Sequence, residues 1–257
     1  MVTFRKLEGI CLGKGTIRQI LLITDGCSNQ GEDPVAIAAL AKEQGITVNV
    51  IGVVDNSPMN EQGVQEIESI AMAGGGVSQI VYAQNLAKTV QMVTRKAMTQ
   101  TLYGVVNREL QQILGKEQEM EDLSPEKRGQ VMEVVDELGE TIDLNVLILV
   151  DTSASMKNKL PMVQDALTDL SISLTSRMGD NRFSLYSFPG KRKDIDRLLD
   201  WSPKLDSLTG IFHKLSSGGI TPTGPALQVA LQKFEKTNSR RSLISSGEDE
   251  LLEDSGM

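Results

Sequence analysis

The chain has 257 residues, 40% of them hydrophobic and 23% charged, which is enough for one large domain or two small ones around a buried core. Its formal charge of −8 leaves no basic footprint for nucleic acid, and no apolar run approaches the roughly 20 residues that span a bilayer. Two cysteines, Cys11 and Cys27, are too few for a disulfide framework or a zinc site.

The opening MVTFRKLEGICLG lacks a long apolar centre followed by a small-residue cleavage site, so a cytoplasmic protein with free thiols is expected. QILLITDG is then a continuous apolar run ending at Asp25, which predicts a strand. DPVAIAALAKEQG follows as a helix, with Asp33 as N-cap, Pro34 in the first turn and Gly45 as the stop. ITVNVIGVV is a second β-branched strand, MNEQGVQEIESIAMAGGG a helix closed by glycines, and VSQIVYA a third strand. The amphipathic NLAKTVQMVTRKAMTQTLYGVV completes this half as a helix over Leu86 to Val106.

From Asn107 to Asp143 the chain is charged and helical. SPEKRGQVMEVVDELGE offers Ser124 as N-cap, Pro125 at the first position, and Val131, Val134, Val135 and Leu138 at helical spacing. This predicts a packed connector. DLNVLILV is then a strand, KLPMVQDALTDLSISLTSRM a helix, NRFSLYSFPG a strand and TPTGPALQVALQKFEK a helix. Strands alternating with helices imply an α/β fold, a mostly parallel sheet covered on both faces. Beyond Lys236 the periodicity stops, and 237–257, serine-rich and ending acidic, reads as a mobile tail.

The chemistry concentrates in LILVDTSASM, where a strand ends on Asp151 and hydroxyls follow at Ser153 and Ser155. A strand end delivers these three oxygens to the carboxyl edge of a parallel sheet, where open α/β sheets place their sites. Hard oxygen donors favour Mg²⁺, with Mn²⁺ or Ca²⁺ as alternatives. One aspartate and two serines do not complete a cage. Two further oxygens stand in loops of the same kind: Thr221 in GGITPTGPAL, taken before Thr223, and Asp25 after LLIT.

Asp-x-Ser-x-Ser after a strand, Gly-Gly-x-Thr-x-Thr-Gly before a helix and Thr-Asp-Gly after another strand together resemble the metal-ion-dependent adhesion site of von Willebrand factor A domains. The resemblance implies a Rossmann-like three-layer αβα fold and assigns Asp151, Ser153, Ser155, Thr221 and Asp25 to the five motif positions. In that family the Asp-x-Ser-x-Ser strand comes first and the Thr-Asp-Gly strand last. Here Thr-Asp-Gly opens the chain, so the sequence reads as a circular permutation. Residues 14–106 would be the second half of the fold, 107–143 the connector and 144–236 the first half, with 1–13 an extension of no assigned role. Both junctions would fall on the edge opposite the metal, where rearranged connections leave a site intact. TPTGPAL and SPEKRG further resemble the YabS-like von Willebrand A proteins of spore-forming bacilli, which suggests a link to sporulation. Two half-sized domains, each with an incomplete site, are the competing layout, and a domain-swapped dimer would bring the same five residues together between subunits.

Taken singly, each residue has a plainer role. Asp151 or Ser153 would serve as a helix N-cap, Thr221 or Thr223 would cap the following helix, and Asp25 with Gly26 would make a turn. Cys27, two residues beyond Asp25, reads as a spectator thiol. His213, the only histidine, excludes a His-based metal site.

Enzyme readings fit less well. GICLGKGT imitates a phosphate-binding loop but is one residue short between its glycines, puts Gly15 where a hydroxyl should hold Mg²⁺, and precedes the strand it should follow. An aspartyl phosphatase at Asp151 would want a second carboxylate where Ser153 stands. A metal-dependent phosphoester hydrolase is thus the alternative, and a scaffold binding through connector and tail, its metal structural or absent, the third reading. The resemblance implies instead a non-catalytic module whose Mg²⁺ accepts an Asp or Glu side chain of a protein partner. It also implies coupling to the helix from Leu86 to Val106 and, by analogy with intracellular members, an adaptor or assembly role beside an AAA-type ATPase.

Overall fold

Runs such as ILLI and VLILV are apolar at every position, the pattern of strands buried on both faces of a parallel sheet. A computed structural model describes residues 15–55, 58–114, 123–205 and 221–234, with the single positions 208, 212 and 215. Six strands form one sheet: β1 (Thr16–Thr24), β2 (Ile46–Val54), β3 (Gly75–Tyr82), β4 (Asp143–Asp151), β5 (Asn181–Phe188) and β6 (Asp196–Ser202). Their order is β3-β2-β1-β4-β5-β6. The first five are parallel, and only β6 runs antiparallel, against β5.

The helices are α1 (Pro34–Glu43), α2 (Glu61–Ala73), α3 (Leu86–Leu114), α4 (Pro125–Thr141), α5 (Leu160–Leu174) and α6 over 223–234. Alternate residues of β1 feed two separate cores. Leu21 and Ile23 pack with Val90, Val93 and Ala97 of α3, Val131 and Val135 of α4, and Val163 and Leu167 of α5. Ile20 and Leu22 face the other way, with Ile37 of α1, Ile67 and Ile70 of α2, and Ala226, Ala230 and Phe234 of α6. Full burial of each of these Val, Leu, Ile and Phe side chains contributes about 1.5–3 kcal/mol. The three-layer αβα fold follows from this two-sided apolar demand.

Local chemistry sets the element ends. Asp33 caps α1 by accepting the Val35 N–H at 2.9 Å, and Asn60 caps α2 by accepting the Gly63 N–H at 2.8 Å. Ser124 precedes α4 without a side-chain cap bond. Two expectations need correction. The helix expected to stop at Val106 continues to Leu114, because NRELQQIL contains no breaker and Leu110 still reaches the core. The strand β6 was not expected, since DRLLDWS is short and only partly buried. Residues 1–13, 237–257, Cys11 and His213 lie outside the described residues, as does most of GICLGKGT.

One polar relay crosses the buried sheet: Asn49 on β2 donates to Gln19 Oε1 on β1 at 3.2 Å and accepts the Val77 N–H at 2.9 Å. The register is what positions the site. Thr16 lies opposite Asp143 where β1 and β4 begin, and Ile23 lies opposite Val150 where they end. Thr24, Asp25 and Asp151 therefore emerge side by side at the carboxyl edge, while the connector enters β4 at the opposite edge. The central adjacency of β1 and β4 makes one sheet from the two halves of the chain. Among the described residues, no helix is long and apolar enough to cross a membrane.

Candidate metal centre

Asp151 closes β4 and is fully buried. Its Oδ1 accepts the Ser153 N–H at 2.7 Å and its Oδ2 accepts the Thr24 hydroxyl at 2.7 Å. Burial pushes the Asp151 carboxyl above the ordinary carboxylate range; these two hydrogen bonds and one from the Ser153 side chain oppose the shift, and the Asp25 charge adds to it. Two carboxylates sharing one sheet edge call electrostatically for a cation.

Above Asp151 the chain turns through a single 3₁₀ turn, Ala154–Met156, preceded by Ser153. Ser153 makes no side-chain cap bond there, so its hydroxyl is not used as an N-cap. Instead Ser153 Oγ lies 3.1 Å from Ser155 Oγ, and Ser155 donates to Asp25 Oδ1 at 2.8 Å. Depth increases from the exposed Ser155 to the nearly buried Ser153 and the inaccessible Asp151.

Thr221 approaches from the other flank. Its N–H donates to Asn29 Oδ1 at 2.9 Å, and the Asn29 N–H returns a bond to the Thr221 carbonyl at 3.2 Å. This reciprocal pair ties the threonine loop to the loop that leaves Asp25. Two glycines permit the approach: a Cβ on Gly224 would sit 1.9 Å from the Glu32 carbonyl oxygen, and one on Gly31, at φ +90°, would strike the Pro225 ring at 2.2 Å. Thr223, also buried, carries a hydroxyl with no hydrogen-bond partner among the described residues. The helix α6 begins at Thr223 itself.

Asp151, Ser153, Ser155 and Asp25 are thus joined by direct hydrogen bonds or close contact, whereas Thr221 is tied through Asn29 only to the loop that follows Asp25. Among the described residues no three His, Cys, Asp or Glu side chains converge as a metal cluster. The donor set is two carboxylates with hydroxyls, which matches a hard cation. Ser153 and Ser155, their hydroxyl oxygens 3.1 Å apart and within hydrogen-bond distance of each other, would supply neutral oxygens to such an ion.

A family model described as von Willebrand factor type A domain matches residues 146–247, and a second with the same description matches 6–96. Over 237 residues the chain is 63% identical to the uncharacterised protein YabS of Bacillus subtilis (strain 168), covering 92% of this chain and 97% of that one. The chain belongs to the von Willebrand factor type A family. A crystal structure of an uncharacterised protein from Alicyclobacillus acidocaldarius is also similar, with a TM-score of 0.80 and 42% identity over 88% of this chain and 96% of that one.

This von Willebrand A domain also uses residues that sequence reading did not single out. Lys159, nearly buried, donates to Asp25 Oδ2 at 2.5 Å and to the Ser155 carbonyl at 3.1 Å, and lies 3.6 Å from Asp55. Glu66 of α2 accepts the Ser28 N–H at 2.6 Å and steadies the loop after Asp25. A cleft of about 610 Å³ opens beside them, lined by Asp25, Cys27, Asp55, Met59, Asn60 and Lys159. Burial, and then the Glu66 charge, push the Cys27 thiol up, which suits a spectator rather than a nucleophile. Nothing in the sequence distinguishes Lys159 from the neighbouring Lys157.

Proposed function

We propose that this von Willebrand A domain is a non-catalytic, cytoplasmic interaction module that docks an acidic side chain of a protein partner through Mg²⁺. The observation that carries the reading is the pair of serine hydroxyls 3.1 Å apart, flanked by Asp25 and seated on the buried Asp151. Ser153, Ser155 and Thr221 would hold the ion through their hydroxyls, with Asp25 and Asp151 as the balancing charges. When bound, Mg²⁺ supplies an open coordination position that a partner's Asp or Glu can fill. The chain's own part is to orient and to desolvate. Thr24 and the Ser153 N–H fix Asp151, Ser155 fixes one oxygen of Asp25, and the Asn29 pair holds the threonine loop in place.

Hydrolysis by an aspartyl nucleophile is disfavoured by the same geometry, because Asp151 is inaccessible and both its oxygens are engaged. An adaptor or assembly role is the corresponding biological reading. The test is titration calorimetry with Mg²⁺ and Mn²⁺ on wild type, Asp151→Ala and Asp25→Ala, followed by partner capture with and without chelator. Saturable binding in wild type, lost in both variants, together with capture abolished by chelator, is the expected result. Capture that persists in chelator and in Asp151→Ala overturns it and favours a scaffold that binds elsewhere.

A further inference from the structure

Lys159 sits where helix physics does not favour a lysine. It immediately precedes α5, at the positive end of the helix dipole, and makes no cap bond with its side chain. No acidic residue stands in the first turn of α5 to compensate. Its stem and ammonium are nonetheless buried, with 8% of the side chain exposed. What holds it there is the site: Asp25 Oδ2 at 2.5 Å, the Ser155 carbonyl at 3.1 Å and Asp55 at 3.6 Å. A local rule is broken in favour of an ion pair with a carboxylate that belongs to the candidate metal centre.

We infer that Lys159 is a built-in cation that competes with the divalent ion for Asp25, setting the metal affinity of the site and making occupancy depend on the bound partner. The inference rests on the metal reading above. Asp25 has two oxygens, and both are in use: Oδ1 by the Ser155 hydroxyl and Oδ2 by the Lys159 ammonium. A divalent cation drawing on Asp25 meets a carboxylate already neutralised in a dry environment, and a second positive charge close to it. Both effects weaken metal binding. Asp55 gives the displaced ammonium a place to go. Its side chain is 44% exposed and already within ion-pair distance, on the wall of the 610 Å³ cleft. Lysine suits this part better than arginine, because its point charge on a flexible stem can change partners without losing a bidentate fit. The site is therefore closed to weak occupancy by its own residue, and a partner carboxylate that strengthens the metal's hold shifts the competition.

The test compares Mn²⁺ affinity of the full chain by titration calorimetry in wild type, Lys159→Met and Lys159→Arg. Lys159→Met keeps the stem and removes the charge, and is expected to bind Mn²⁺ at least tenfold more tightly than wild type. Its melting temperature should be lower in chelator and should rise more on adding Mn²⁺. Lys159→Arg should not show the gain. Binding in wild type that Lys159→Met leaves unchanged or weakens overturns this inference while leaving the metal reading standing. No saturable binding in either protein overturns both. A measurement on wild type alone covers the case in which the Met variant does not fold: with ¹³C-labelled lysine, the Lys159 Cε signal should shift on saturation with Mg²⁺, and an unmoved signal overturns the inference.

Discussion

Thr24 donates its hydroxyl hydrogen to Asp151 Oδ2 at 2.7 Å, across 127 positions of sequence. The bond joins the last residues of β1 and β4, and with the Ser153 N–H it satisfies a fully buried carboxylate. Thr24→Val keeps the shape and removes the donor, leaving the carboxylate short of a partner in a dry site. A loss of about 1–3 kcal/mol is expected, read as a lowered midpoint in urea unfolding, with Thr24→Ser close to wild type.

Glu66 gives a pH-dependent expectation. Burial raises its carboxyl above the ordinary range, the Ser28 N–H opposes this, and the Asp33 charge adds to it; Cys27 is the other titratable group facing it. A raised pKa means that the folded state favours the protonated form. The contribution of Glu66 to stability is then fully present below its unfolded pKa and is lost as pH rises through its folded pKa. Glu66→Gln retains an oxygen for the Ser28 N–H and carries no charge. It should melt higher than wild type at pH 7, and the difference should shrink toward zero at pH 4; a constant difference across that range would contradict the assignment.

The hydroxyl of Thr223 is buried with no hydrogen-bond partner among the described residues. Without a ligand that hydroxyl carries a desolvation penalty, on the order of 1–3 kcal/mol for an unpaired buried group. Thr223→Val should therefore raise the melting temperature in chelator. Thr221→Val is expected to lower Mg²⁺ affinity with little effect on the chelated melt, which separates the two threonines of one loop.

Arg177 ties the end of α4 to the start of β5. Its Nε donates to the Gly139 carbonyl at 2.9 Å, Nη2 donates to the Ile142 carbonyl at 2.5 Å, and Nη1 donates to Asn181 Oδ1. Burial lowers its pKa, and the guanidinium nevertheless stays charged, as arginine does in proteins. Arg177→Ala would strand the carbonyls of Gly139 in the last turn of α4 and of Ile142 just before β4, and a loss of about 2–4 kcal/mol is expected by chemical denaturation.

Most of the α/β alternation was legible because it rests on short-range signals. Asp33-Pro34 before α1, Gly45 after it and the unbroken apolar runs of β1, β2 and β4 each declare an element within ten residues. The strand β6 gave no such signal, since an edge strand is half-buried and an antiparallel return needs no crossover helix. At the site, Asp151, Ser153 and Ser155 are two positions apart and could be read together, whereas their approach to Asp25 could be expected only from resemblance to a family. The Lys159 ion pair was not legible at all. Its partner lies 134 positions away, and by helix propensity alone a lysine ahead of α5 has no reason to be buried.

The pairing of β1 with β4 also governs how the molecule is made. On the ribosome β1 emerges more than a hundred residues before its neighbour, a wait on the order of ten seconds at ordinary elongation rates. Until then Ile20 to Ile23, which in the finished fold lie between β2 and β4, would lack their β4 partners. A strand without its partner is a template for association with other chains. The order of the strands along the chain thus keeps β1 waiting for β4, a wait that slower translation would lengthen.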